Sequence, residues 1–153
     1  MKSFLLIAVL LFISFASCMK KGQGCATVKP QDEEKQILAY ASANGITAVK
    51  HTSGLYYEIM DPGSWTSPLA NSKVTVDYTG KLLNGNTFDQ NSSYTQTLNQ
   101  LIEGWQIGIP LIKKGGRIKL IIPSSLAYGC NGAGAAIPGN SVLYFDILLN
   151  DVK

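Results

Sequence analysis

A scattered set of aromatic and apolar residues with a few polar tips offers the most chemistry in this chain: Tyr78, Phe88, Asp89, Trp105, Tyr128, Ile137 and Phe145. Rings and branched side chains of this kind can build a dry pocket, and the hydroxyls and the carboxylate would give it directional groups. On periodicity alone the same residues read as core. Other chemistries find less support. The stretch LAYGCNGAGAAIPGN, residues 126–140, is rich in glycine but has no Gly-Lys-Ser/Thr. A strand-like run follows it, so no helix N-terminus is on offer to a phosphate. There is no GxSxG, and the one histidine, His51, lies in a polar segment ahead of a strand and reads as a solvated surface residue. Nucleophilic hydrolysis is therefore disfavoured. Asp77 and Asp89 could suggest a carboxylate pair, but Asp77 alternates with the apolar face of its strand and is expected to face solvent. With a single histidine and no CxxC, neither a metal site nor a cofactor is expected.

The frame that must position these residues is one domain. The chain has 153 residues, 46% of them apolar, and a formal net charge of +3. That length suits a single domain, and the scattered lysines disfavour nucleic acid as a partner. Residues 1–17 read as a signal peptide, with one lysine and then an apolar run from Phe4 to Ile13. The run is shorter than the ~20 residues a spanning helix needs. The sequence Phe15-Ala16-Ser17-Cys18 resembles the lipobox of bacterial lipoproteins, in which cleavage precedes the cysteine and the thiol carries a diacylglyceryl group. This implies lipidation at Cys18 and an exported protein anchored to a bacterial membrane, facing the periplasm. With Cys18 given to lipid, Cys25 and Cys130 remain, and an oxidising compartment favours a disulfide between them.

Residues 18–31 are polar, carry Gly and Pro, and read as a tether. Residues 32–50 read as an N-terminal helix and connector: Asp32-Glu33-Glu34 opens a helical pattern, Ile37, Leu38 and Ala41 follow at helical spacing, and Asn44-Gly45 ends it. So short a helix is expected to pack on the same chain. From 51 to 153 the period becomes two. Strands are predicted over 53–60, 73–83, 117–122 and 142–150, with a hairpin turn at Asn84-Gly85-Asn86 leading into Thr87-Phe88-Asp89. Between 90 and 100 the candidate element is a short strand near 94–98. A two-turn helix is predicted over 103–109, stopped by Pro110. Many strands, one internal helix and no βαβ alternation indicate an antiparallel α+β domain.

In chain order, the segments SGLYYEI, VTVDYTGKLLNGNTFD, LIEGWQIGIPLIKKGGR, IPSSLAYG and IPGNSVLYFDILLNDV resemble the FKBP-type peptidyl-prolyl cis-trans isomerases, across residues 53–151. The resemblance implies a twisted antiparallel β-sheet of about five strands wrapped around one short helix, the one predicted at 103–109. It implies that Tyr78, Phe88 and Phe145 wall the site of a bound prolyl carbonyl and that Trp105 is the floor beneath the pyrrolidine ring. Asp89 matches the acidic residue at the edge, and Tyr128 the hydroxyl that donates to a ligand carbonyl. Leu101 and Ile102 match the apolar pair ahead of the tryptophan, the Ile102 N–H being a donor, and Ile137 matches the apolar residue of the overhanging loop. The implied activity is isomerisation of X-Pro bonds in unfolded or exported polypeptides, and the implied small-molecule ligand is a macrolide such as tacrolimus. A catalytically weak proline-binding module or chaperone using the same groove is the other reading.

Two departures from the family pattern bear on the pocket. The segment between Asp89 and Leu98 is shorter than in the small cytosolic members and lacks their Phe-x-Phe, leaving Tyr94 as the candidate on that edge. Ala133 and Ala136 stand where larger residues are common. Both imply a shallower pocket and weaker macrolide binding. The 126–140 stretch then reads as a flap over the pocket, to which a Cys25–Cys130 bond would staple the tether.

Overall fold

The computed structural model describes residues 24–153. The signal segment, Cys18 and the start of the tether lie outside the described residues. Helix α1 spans Pro30–Ala43. It begins two residues earlier than the acidic run suggested, because proline suits the first helical position, where its fixed φ fits and its missing N–H would be unpaired anyway. Asp32 and Glu33 occupy the first turn, at the positive end of the helix dipole. At the other end the Asn44 N–H donates to the Tyr40 and Ala41 carbonyls.

Six strands form one antiparallel sheet: β1 (Val49–Lys50), β2 (Tyr56–Asp61), β3 (Lys73–Leu82), β4 (Thr87–Thr97), β5 (Arg117–Ile122) and β6 (Leu143–Val152), in the order β1-β2-β5-β6-β3-β4. The two-residue β1 is the strand beyond the five expected. β2 starts at Tyr56 rather than near 53 because residues 51–55 turn: the Gly54 N–H donates to the His51 carbonyl at 2.9 Å and the His51 N–H to the Leu55 carbonyl at 2.8 Å. His51 is half-buried there instead of solvated, its Nδ1 accepting from the Ser53 N–H at 3.2 Å.

β4 departs most from expectation, being one strand of 11 residues where a break after Asp89 was predicted. It lies at the sheet edge and pairs with β3 alone, so polar side chains can point to water on its outer side while the backbone still pairs. Asp77 stays on the outer face, as its alternation implies, and takes part in this arrangement. Its Oδ1 accepts from the Ser93 N–H and from Asn150 Nδ2, both at 2.7 Å. Ser93 has φ 59 and sits where the β3–β4 register shifts, between the pairs Val76–Tyr94 and Tyr78–Asn91. A bulge of this kind re-aims the side chains that follow it.

Period-two alternation gives the sheet two apolar faces. Ile118, Leu120 and Ile122 of β5, Leu143, Phe145, Ile147 and Leu149 of β6, and Val74 and Val76 of β3 pack with Leu98, Trp105, Ile109 and Ile112. The opposite face places Ile121 and Val142 against Ile37, Ala41, Ile46 and Tyr56. Helix α1 thus packs on the back of its own sheet, and helix α2 (Glu103–Gly108) on the front. Pro110 falls in a 3-10 turn, Ile109–Leu111, that tightens the end of α2. Cys25 and Cys130 are joined in a disulfide with Cα atoms 5.5 Å apart.

Candidate active site

The site is assembled from four directions. β3 contributes Tyr78, β4 contributes Phe88, Asp89, Asn91 and Tyr94, α2 and the loop before it contribute Leu101, Ile102 and Trp105, and β6 contributes Phe145. Together with Gln100 and Tyr128 these line a cleft of about 470 Å³. The rings meet edge to face. Trp105 lies 5.0 Å from Tyr78 and 5.1 Å from Phe145 between ring centroids, with interplanar angles of 82° and 86°. Phe88 meets Phe145 at 5.5 Å, and Tyr94 meets Tyr78 at 5.8 Å. Such T-shaped pairs place a positive ring edge on a negative ring face, so the cage is self-supporting.

Glycine makes this packing possible. A Cβ on Gly80 would sit 2.7 Å from both the Phe145 and the Phe88 rings, so its absence lets the two rings close over the strand. Gly104 and Gly108, four residues apart on one face of α2, press against Ile122 and Leu120 of β5, which seats the helix deep enough for Trp105 to reach the floor. Trp105 is only 4% exposed.

The polar groups are few. The Tyr78 hydroxyl donates to Asp89 Oδ2 at 2.6 Å. Burial, then the bond to Asp89, raises the Tyr78 hydroxyl above its ordinary pKa. Burial, with the Asp89 charge nearby, also raises Tyr128. Both phenols are protonated at neutral pH, as an ordinary tyrosine is, and can serve as donors. Tyr128 stands at the rim, 41% exposed, just beyond the 3-10 turn Ser124–Leu126. The Ile102 N–H donates to no group among the described residues, while the Ile102 carbonyl accepts from the Trp105 and Gln106 N–H groups.

Of the residues singled out in the sequence, the structure brings Tyr78, Phe88, Asp89, Leu101, Ile102, Trp105, Tyr128 and Phe145 to this cleft. Ile137 is not among these lining residues; it pairs with Ala133 in a small antiparallel bridge within the flap and is buried in the cluster that also holds Trp105 and Phe145. Asn91 and Gln100 were missed, because a polar residue in a polar run carries no signal until the strand pairing is known. A larger hollow, of about 750 Å³, lies on the opposite face of β3 and β6, among Asp77, Thr79, Arg117, Tyr144 and Asp146. Its guanidinium is already engaged, since Arg117 holds Asp146 through two bonds of 2.8 Å. Among the described residues no His, Cys, Asp and Glu side chains gather as a metal-holding group.

The model for FKBP-type peptidyl-prolyl cis-trans isomerases matches residues 64–150. The chain belongs to this family. It is 37% identical over 142 residues to a probable FKBP-type peptidyl-prolyl cis-trans isomerase of Haemophilus influenzae, covering 90% of this chain and 58% of that protein. It is 48% identical over 149 residues to the FKBP-type isomerase FkpA of Buchnera aphidicola, covering 88% and 57% respectively. The chain thus spans somewhat over half the length of these two relatives. Among solved structures, FkpA from Escherichia coli superposes with a TM-score of 0.72 at 35% identity, covering 82% of this chain and 61% of that one. A peptidyl-prolyl cis-trans isomerase from Pseudomonas syringae gives the same TM-score at 30% identity, covering 82% of this chain and 93% of that one.

The family's cleft in this chain depends on a bare backbone at residue 80. Gly80→Ala is expected to lower unfolding free energy by ~1–3 kcal/mol through overpacking, read from urea denaturation. An alanine variant as stable as the parent would contradict the ring packing described.

Proposed function

We propose that this chain is a peptidyl-prolyl cis-trans isomerase that assists the folding of exported, proline-containing polypeptides from a lipid anchor at Cys18. The observation that carries the proposal is the cage of Tyr78, Trp105 and Phe145, with centroids 5.0 to 6.2 Å apart, opening towards the Tyr128 hydroxyl and the Ile102 N–H.

Turning an X-Pro bond means losing amide resonance, at a barrier of ~18–20 kcal/mol. Unaided, the turn takes tens of seconds or more. No bond breaks, so neither a nucleophile nor a proton transfer is required. A planar amide is more charge-separated than a twisted one, and a site lined by rings withholds the water that would favour the planar form. The cage holds the pyrrolidine ring over Trp105 while the preceding carbonyl swings between Tyr78, Phe88 and Phe145. Tyr128 and the Ile102 N–H fix the chain on either side, each neutral hydrogen bond contributing about 1 kcal/mol. Asp89 acts as an orienter. Its carboxylate is bonded by Tyr78, which suits holding a ring in place rather than abstracting a proton. Macrolides such as tacrolimus would fill the same cleft.

The test is a proline-limited refolding assay. The wild type should accelerate the slow phase, with saturating tacrolimus suppressing the effect. Tyr128→Phe should cost about fivefold in kcat/KM, one neutral hydrogen bond's worth. Phe145→Ala should remove most activity, with its fold checked separately because Phe145 is only 3% exposed. Absence of acceleration by the wild type, with prolyl peptides still bound, would leave a binding module instead. Anchoring is read from the mass of the mature protein: a diacylglyceryl group on Cys18 is expected, and a mature chain with an unmodified Cys18 thiol would overturn the anchor.

A further inference from the structure

Tyr128 is carried by a flap whose base is gripped from outside. The 3-10 turn Ser124–Leu126 precedes it, and the first N–H of such a turn finds no partner within the turn itself. That N–H, on Ser124, donates to Glu33 Oε2 at 2.8 Å, across 91 residues of sequence. The contact is interior: Glu33 is 2% exposed and Ser124 0%. Ser124 Oγ is buried without a partner among the described residues, so the Glu33 carboxylate is the polar group that fixes where the turn begins. From there the Leu126 N–H donates to the Pro123 carbonyl at 2.9 Å and the Ala127 N–H to the Ser124 carbonyl at 3.1 Å, which brings the chain to Tyr128.

On the far side of Tyr128, Cys130 is bonded to Cys25, and Asn140 Nδ2 donates to the Ala26 carbonyl at 3.3 Å. The segment from Cys25 to Glu33 therefore holds the chain both before and after the tyrosine. An inward carboxylate is a costly way to anchor a helix that already buries Ile37 and Ala41, whereas its geometry suits fixing a backbone N–H next to a working side chain. We infer that Glu33 is a positioning residue that sets the place of the Tyr128 hydroxyl through the Ser124 N–H. The inference rests on the isomerase reading of Tyr128.

The experiment is a double-mutant cycle on the full chain, with Glu33→Ala and Glu33→Gln made alone and together with Tyr128→Phe. Since Glu33 acts through Tyr128, Glu33→Ala should cost no more than the roughly fivefold loss in kcat/KM of Tyr128→Phe, and should add nothing on top of it. Glu33→Gln keeps an oxygen acceptor and should recover most of the loss. Losses that multiply in the double variant, or no loss in Glu33→Ala, would overturn the inference. Amide exchange gives an arm independent of activity: the Leu126 and Ala127 amides should exchange faster in Glu33→Ala while Leu120 in β5 stays protected. Unchanged exchange at 126 and 127, or equal acceleration at 120, overturns positioning even if the wild type proves inactive, an outcome that by itself would defeat only the isomerase reading.

Discussion

Trp105 can form the floor of the cleft because helix α2 comes unusually close to strand β5. A Cβ on Gly104 would run into Ile122, and one on Gly108 would stand 2.6 Å from Leu120. With both absent, the helix axis drops onto the sheet and the indole between those glycines reaches Tyr78 and Phe145. The other rings follow from that seating. Phe145 takes its place from β6, Phe88 closes over Gly80, and Tyr94 leans edge-on against Tyr78. Six strands, a register bulge and a helix of six residues are what it takes to hold these rings in contact with one side open.

The sheet is covered on both faces, and the two layers have different duties. The front layer builds the cleft. The back layer, helix α1 on Ile121 and Val142, is tied to the chain around it by polar contacts as well as apolar ones: Glu34 accepts from the Tyr56 hydroxyl at 2.5 Å and pairs with Lys50 at 2.9 Å. The Lys50–Glu34 pair is exposed and adds little stability by itself, whereas the Tyr56 hydroxyl belongs to a buried ring. Glu33 and the Cys25–Cys130 bond tie the N-terminal extension to the chain on either side of Tyr128.

Much of this was legible in the sequence. The apolar alternation of Arg117–Ile122 and the final strand reads directly, because their side chains alternate between two apolar layers. The short helix reads from its Glu-Gly-Trp start and its proline stop. The cleft residues read through the family resemblance, since periodicity alone gave them no more than a place in the core. Other features left no local trace. β1 has two residues, too few for any period. β4 read only as a hairpin arm to Asp89 and a short strand near 94–98, because an edge strand in contact with water can be polar along most of its length. Asp77 gave the signal of a solvent-facing carboxylate, yet it pins a bulge through Ser93, a partner set by strand register. Glu33 was indistinguishable from an ordinary first-turn acid favoured by the helix dipole; only the long-range fold brings Ser124 to it. Ile137 was picked out by its family position, whereas its bridge to Ala133 left no local trace.

The central claim is that this ring cage turns X-Pro bonds and does not merely hold them. The most direct measurement is two-dimensional exchange spectroscopy on a short proline peptide with a sub-stoichiometric amount of the protein. Cross-peaks linking the cis and trans resonances of the prolyl bond, absent for the free peptide on the same timescale, are the predicted result. Broadening of the peptide signals that reports binding, without any cis–trans exchange peaks, would contradict it.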